Sequence, residues 1–201
     1  MRTILLALLL LLAQPMFADA VQDVQARLNA IRTMSANFNQ TVNAGRQRLS
    51  MSSGTMALSR PGRFRWQTNE PLQQLVIADG SHLWMYDVDL EQVSVKKEAS
   101  SISGGAALFL SGDNHSLNRD FLVTATQQGK KFSYDLRAKS SKNNFQRIIL
   151  TFSGPILSSL RLYDQLGQIT TVQLSHVKNN PQLSSQLFKF KPPKGVDVVE
   201  D

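Results

Sequence analysis

The chain contains no cysteine. It can form no disulfide, supply no thiolate to a metal and offer no thiol nucleophile, so its fold must be held by packing alone. The same absence rules out acylation on an N-terminal cysteine, so no lipid anchor of that kind is expected. Histidine is scarce. His82, His115 and His176 lie far apart without metal-ligand spacing, and His82 and His115 read as surface residues. There is no G-x-S-x-G elbow, no H-E-x-x-H, no phosphate loop and no dinucleotide fingerprint. The serines are many, but none stands beside a local candidate base. Asp87, Asp89 and Glu91 have the spacing of oxygen ligands but lack the glycine and closing glutamate of a calcium loop, so a tight hairpin is expected there. Nothing in the sequence argues for an enzyme, a metal or a cofactor.

Long apolar runs are missing too, with one exception. Arg2 is followed by an unbroken run from Ile4 to Leu12, then by Ala18-Asp19-Ala20. The run is short of the roughly 20 residues that span a bilayer. A charged start, a short apolar stretch and a small-residue site describe a secretory signal peptide. Residues 1–20 are expected to be removed after Ala20, leaving residues 21–201 as one domain exported to a bacterial periplasm. Acidic residues are outnumbered, 15 against 22 basic ones, for a net charge of +7. Cleavage would remove Arg2 and Asp19 and leave that value unchanged. Such a charge in a cytoplasmic protein would suggest nucleic acid. Export argues against that partner, and so does the scatter of the charges, with Lys96-Lys97 and Lys130-Lys131 at strand ends. A solvated surface is the plain reading, and attraction to anionic headgroups or an acidic partner the alternative.

The residues that are present fall into two periods. Val21, Val24, Leu28, Ile31 and Met34 recur at helical steps, with Gln22, Asp23, Gln25 and Arg27 on the wet side. Thereafter the period is two. Phe64 and Trp66 alternate with Arg63, Arg65 and Gln67; Phe132, Tyr134 and Leu136 with Ser133, Asp135 and Arg137; Ile148, Leu150 and Phe152 form a third stripe, Leu160 and Leu162 a fourth. Turn signals at Pro61-Gly62, Asp79-Gly80, Gln128-Gly129, Lys142-Asn143-Asn144, Gly154-Pro155, Leu166-Gly167 and Asn179-Asn180-Pro181 separate about eleven antiparallel strands. A short helix is expected within Ile102–Leu110, ending at Gly112, in a Ser-, Gly- and Asn-rich stretch from Ala99 to Asn118 expected to be the most mobile. So broad a sheet has more apolar surface than short helices cover tightly. It either curls into a packed barrel, as the usual density of interiors favours, or keeps a cavity under a helical lid. Pattern alone leaves both open.

Four stretches resemble one family. Phe38-Asn39-Gln40 is similar to its F-x-Q. Arg60-Pro61-Gly62-Arg63-Phe64-Arg65-Trp66, closing a segment that starts at Gly54, resembles its R-P-x-x-F-x-W. Asp79 to Val93 resembles its D-G-x-x-L-W-x-Y-D-x-x-x-x-Q hairpin, and Phe188 to Val198 its closing F-x-F-x-P-P-x-G-V-x-V. The family is the outer-membrane lipoprotein carrier family, LolA, and the pieces stand in family order along the chain. The stretch from Ala99 to Asn118 departs most from it.

The resemblance implies a mainly β fold: an incomplete, half-closed antiparallel barrel with a short-helix lid over an apolar cavity. It implies a periplasmic chaperone that takes acylated lipoproteins from an inner-membrane ABC transporter and passes them to an outer-membrane lipoprotein receptor. A monomer without stable membrane insertion is the default expectation. It also implies that Arg60 latches the lid through main-chain carbonyls. A guanidinium, with five donors, suits that task, and Pro61 biases Arg60 towards extended backbone. Phe64, Trp66, Leu75, Ile77, Trp84, Tyr86, Leu108 and Phe109 are the candidate cavity or lid residues, with Leu28 and Ile31 from the helix. For each, ordinary core packing is the competing reading. Two other functions compete: a periplasmic lipid sensor or regulator, expected to carry a further domain or membrane segment, and an acyl hydrolase, which needs a nucleophile and base not found here.

Overall fold

The structure is a computed structural model that describes residues 17–97, 110, 117–141 and 143–200. Helix α1 (Phe17–Asn29) leads into six strands: β1 (Thr33–Ala44), β2 (Gln47–Ser59), β3 (Arg63–Glu70), β4 (Gln74–Asp79), β5 (His82–Asp87) and β6 (Gln92–Lys97). The short helix α2 (Leu117–Asp120) precedes β7 (Phe121–Gln128), β8 (Lys131–Ala138), β9 (Phe145–Ser153), β10 (Ile156–Asp164) and β11 (Gln168–Asn179). A 3-10 turn (Ser185–Phe188) and β12 (Asp197–Glu200) complete the chain. Of the expected 102–110 helix and its lid residues, Leu108 and Phe109 lie outside the described residues; Leu110 is helical and buried.

All twelve strands form one sheet in the order β12-β6-β5-β4-β3-β2-β1-β11-β10-β9-β8-β7. β7 and β12 are its edges and do not pair with each other, so the barrel is incomplete. Pairing is antiparallel except between β12 and β6. That parallel strand is the addition to the expected eleven. It is four residues long, with every residue exposed and no alternation to announce it.

The period-two stripes do what alternation dictates: one face of the sheet is dry. Met34, Ala36 and Phe38 of β1, Met56 and Leu58 of β2, Phe64 and Trp66 of β3, and Tyr134, Leu136, Ile148, Leu150 and Phe152 of β8 and β9 join one apolar cluster. Helix α1 lies on this inner face and buries Val24 and Leu28 against it.

The expected helical stripe is cut short. Helix α1 ends at Asn29, so Ile31 sits in the connection and Met34 in β1, although both are buried. The cause lies far along the chain. Asn180 Oδ1 accepts from the backbone N–H of Arg32 (2.8 Å) and Thr33 (3.3 Å), and Asn180 Nδ2 donates to the Ala30 carbonyl at 2.9 Å. These bonds take up backbone groups that a continued helix would have used itself.

Among the described residues, the opposite face is dry over β4 to β6. After β11 the chain crosses back over β3 and β4, where the 3-10 turn packs and Phe188 is buried. Phe190 then sets its ring 5.6 Å from Trp84 and 5.9 Å from Tyr86, before β12 joins β6. This C-terminal strap forms a second, outer layer.

Candidate functional site

Register sorts the residues singled out from the sequence. Directly paired residues share a face. Phe64 pairs with Leu58 and Ala78, and Trp66 with Met56 and Val76; these are inner-face neighbours. Phe64 is 1% exposed and Trp66 7%, and Trp66 stacks on Phe38 with centroids 4.0 Å apart. Leu28 of α1 and Ile31 beyond its end belong to the same cluster, as do Leu110 and Leu117. Leu75, Ile77, Trp84 and Tyr86 do not. Ile77 pairs with Arg65 and Trp84, and Leu75 with Tyr86, which puts all four on the outer face beneath the strap. The structure therefore brings Leu28, Ile31, Phe64 and Trp66 together and sets the β4–β5 group on the other side of the sheet.

Trp84 is fixed there by its turn. Its indole N–H donates to Asp79 Oδ2 at 3.1 Å, while Asp79 Oδ1 accepts from the N–H groups of Ser81 (2.7 Å) and His82 (2.8 Å). Burial works against the charged Asp79 carboxylate, but these donors outweigh it and hold the group below the usual carboxylate range. Asp87 and Glu91 do bound a tight hairpin: the Leu90 N–H donates to Asp87 Oδ1 at 3.1 Å, and Glu91 adopts a φ of 50°.

Arg60 occupies the β2–β3 turn. Its backbone N–H donates to the Arg32 carbonyl at 2.8 Å, which ties the turn to the connection between α1 and β1. Its Nε is enclosed by protein, on a residue that is otherwise only part-buried.

A polar cluster that the sequence reading left on the wet side of the helix holds α1 to the sheet. Tyr134 Oη donates to Asp23 Oδ2. Arg27 Nε donates to Asp23 Oδ1 at 3.2 Å, and Arg27 Nη1 to the Gly154 carbonyl at 3.0 Å. The Arg27 guanidinium also lies 3.9 Å from the centroid of the Phe132 ring, a cation–π contact. The available signal was an acidic and a basic residue four apart on one helix face; their reach to β8 could not be read from spacing. Tyr134 itself is wholly buried, edge-on to Phe152. Burial, then the bond to Asp23, pushes its hydroxyl up to about 12.

This raised value predicts an alkaline transition. The folded protein keeps the Tyr134 proton where the unfolded chain has lost it. The contribution is complete below about pH 10 and is lost as the pH climbs towards about 12. Ultraviolet difference titration should show a late-ionising tyrosine that is absent from Tyr134→Phe. If that variant instead loses a tyrosine that ionises at the ordinary pH, the bond is not formed in solution.

Two clefts flank α1. One of about 870 Å³ is lined by Ala20, Ala26, Arg27, Ala125, Phe132 and Tyr134, among others; a second of about 640 Å³ includes Val21, Gln25, Phe121 and Val123. Gln22 and Thr124 line both.

An unclosed antiparallel barrel, dry on its inner face and covered there by a helix tied down through polar bonds, defines the structural class as a half-open β-barrel with a helical cover. More narrowly, the chain belongs to the outer membrane lipoprotein carrier protein LolA family, whose sequence profile matches residues 29–191. It is 55% identical to an outer-membrane lipoprotein carrier protein of Legionella pneumophila (strain Corby) over 201 residues, covering 100% of both chains. It is 38% identical to the protein of the same name in Dechloromonas aromatica (strain RCB), covering 96% of this chain and 92% of that one. Among solved structures it resembles an uncharacterized conserved protein from Thermus thermophilus, with a TM-score of 0.54 and 12% identity over 90% of this chain and 100% of the other, a likeness of fold.

Proposed function

We propose that this chain is a periplasmic carrier that takes acylated lipoproteins from an inner-membrane ABC transporter to an outer-membrane receptor, holding their acyl chains against the inner face of the sheet. One observation carries the reading: Phe38, Phe64 and Trp66 share one buried apolar cluster with Val24 and Leu28 of α1, a helix fastened to the sheet through polar bonds. Full-length identity to relatives named as lipoprotein carriers supports the cargo class.

The physics calls for such a protein. Each buried methylene is worth about 0.8 kcal/mol, so an acyl chain of about sixteen carbons costs on the order of 12 kcal/mol to expose to water. Unaided passage through an aqueous compartment is negligible at that cost. The carrier must also let go. Apolar contact is non-directional and has no fixed geometry to satisfy, which suits transfer better than a tight specific pocket. Phe64 and Trp66 are out of water in this structure; cargo is accepted when the cover moves and the chains replace it.

In this reading residues 1–20 are the export signal and residues 21–201 the carrier domain. The carrier works as a chaperone rather than an enzyme. Arg60 is a latch that hydrogen-bonds main-chain carbonyls of the lid and is released by incoming chains.

The decisive experiment incubates the purified protein with membranes bearing triacylated lipoprotein. An intact, soluble one-to-one complex is expected. Cleaved lipid would indicate a hydrolase, and failure to mobilise the cargo would indicate a sensor. The Arg60→Leu protein should load but hand its cargo to receptor-bearing membranes several-fold more slowly. Normal loading and release by that variant would remove the latch.

A further inference from the structure

We propose that the seam between α1 and edge strand β7 is the entrance through which acyl chains reach the inner face, and that Asp23, Arg27 and Tyr134 form the catch that keeps it shut. The inference rests on the carrier reading and adds where the cargo enters.

The attachment of α1 is lopsided. Towards the sheet it buries Val24 and Leu28 completely or nearly so. Along its β7 side run the two clefts of about 870 and 640 Å³, which meet at Gln22 and Thr124. Each falls within the range of about 300–1,000 Å³ usual for small-molecule sites. The trough borders β7, whose far side has no strand neighbour in the sheet. Chains entering there need not part any ladder of backbone hydrogen bonds; a path between paired strands would.

The lining suits the cargo. Ala26, Ala125, Phe132, Phe121 and Val123 supply apolar lining, and Gln22, common to both clefts, supplies an uncharged donor beside the charged Asp23, Arg27 and Lys139. An acyl chain leaves its protein through ester or amide carbonyls, which need donors at the point where the chain turns out of the dry interior. Expected export processing after Ala20 would remove one residue of the wider cleft's lining and retain Asp23, Arg27 and Tyr134.

The catch stands beside the wider cleft. Apolar contact resists sliding weakly, whereas directional bonds fix a helix in one register. Tyr134 reaches from β8 to Asp23, and Arg27 reaches to the Gly154 carbonyl in the β9–β10 turn, so α1 is fastened to two places on the sheet. These bonds reform when cargo leaves.

The absence of native cysteine makes the test clean. Gln22→Cys on α1 and Gln127→Cys on β7 both line the wider cleft and are to be joined by a reducible bismaleimide linker. The linked protein should form soluble complex with triacylated lipoprotein at least about tenfold more slowly than the unlinked protein, and reduction should restore the rate. The same linker between Ser159→Cys and Gln173→Cys, paired on β10 and β11, should leave the rate unchanged. Tyr134→Phe, with its fold checked by circular dichroism, should accept and lose cargo several-fold faster. If the linked protein carries lipoprotein at the unlinked rate, the entrance is elsewhere and the carrier reading survives. If the wild-type protein forms no complex, both fall together.

Discussion

Replacement of Phe64 by glutamate should abolish lipoprotein acceptance while leaving a folded protein. Phe64 is 1% exposed and lies between Leu58 and Ala78, next to the Phe38–Trp66 stack. A carboxylate there must either be buried without a partner or draw water onto the inner face. Either way the surface that shelters acyl chains becomes polar at its centre. The sheet pairs through its backbone and extends well beyond β3, so circular dichroism should still report β structure. Soluble complex should fall below detection. Phe64→Leu keeps the site apolar and should retain acceptance at near the wild-type level. Normal carriage by the glutamate variant would remove Phe64 from the site and weaken the inner-face account as a whole.

Gly54→Ala should be among the most destabilising single changes in the chain, although it adds one methyl group. Gly54 lies in β2 where the register with β3 shifts between Ser53 and Gly54. A Cβ at this position would stand 1.9 Å from the Gln67 carbonyl oxygen, 2.9 Å from its carbon and 3.0 Å from Phe38 Cε1. The first two are backbone atoms of the adjoining strand and cannot turn aside as a side-chain tip can. Strands β2 and β3 must separate, and the Phe38–Trp66 stack beside them must loosen. Overpacking usually costs about 1–3 kcal/mol, and a clash with backbone belongs at or above the top of that range. Urea unfolding should give a loss of about 3 kcal/mol or more, with reduced lipoprotein acceptance from the folded fraction. A change within about 0.5 kcal/mol, the size of an ordinary surface substitution, would mean that β2 and β3 are not packed as described.

Where one face of the sheet meets water, the fold was legible. Alternation at Phe64–Trp66, Tyr134–Leu136 and Ile148–Leu150–Phe152 named inner-face residues correctly, because a half-wet strand advertises its dry side in every second residue. It failed where both faces are dry. Leu75-Val76-Ile77-Ala78 is continuously apolar, so its pattern does not say which residues face inward; register puts Leu75 and Ile77 on the outer face, where the strap with Phe188 and Phe190 packs over β4 and β5. That contact spans more than half the chain, and no local period encodes it. The end of α1 was hidden for a similar reason. The helical stripe runs on through Ile31 and Met34, and what breaks it is Asn180, brought alongside by β11. The catch was half legible: the Asp23–Arg27 pair is a local helix feature, but its anchor on Tyr134 exists only once β8 is folded beneath α1. Arg60 was found through motif resemblance, which points to a position without giving its partners.

The two tryptophans allow the central claim to be tested directly, since Trp66 is on the inner face and Trp84 on the outer. Lipoprotein acylated with brominated chains quenches a tryptophan only on close approach. With Trp84→Phe, complex formation should strongly quench the remaining Trp66; with Trp66→Phe, the remaining Trp84 should keep its emission. A complex that quenches Trp84, or that leaves Trp66 bright, would contradict the placement of the acyl chains on the inner face.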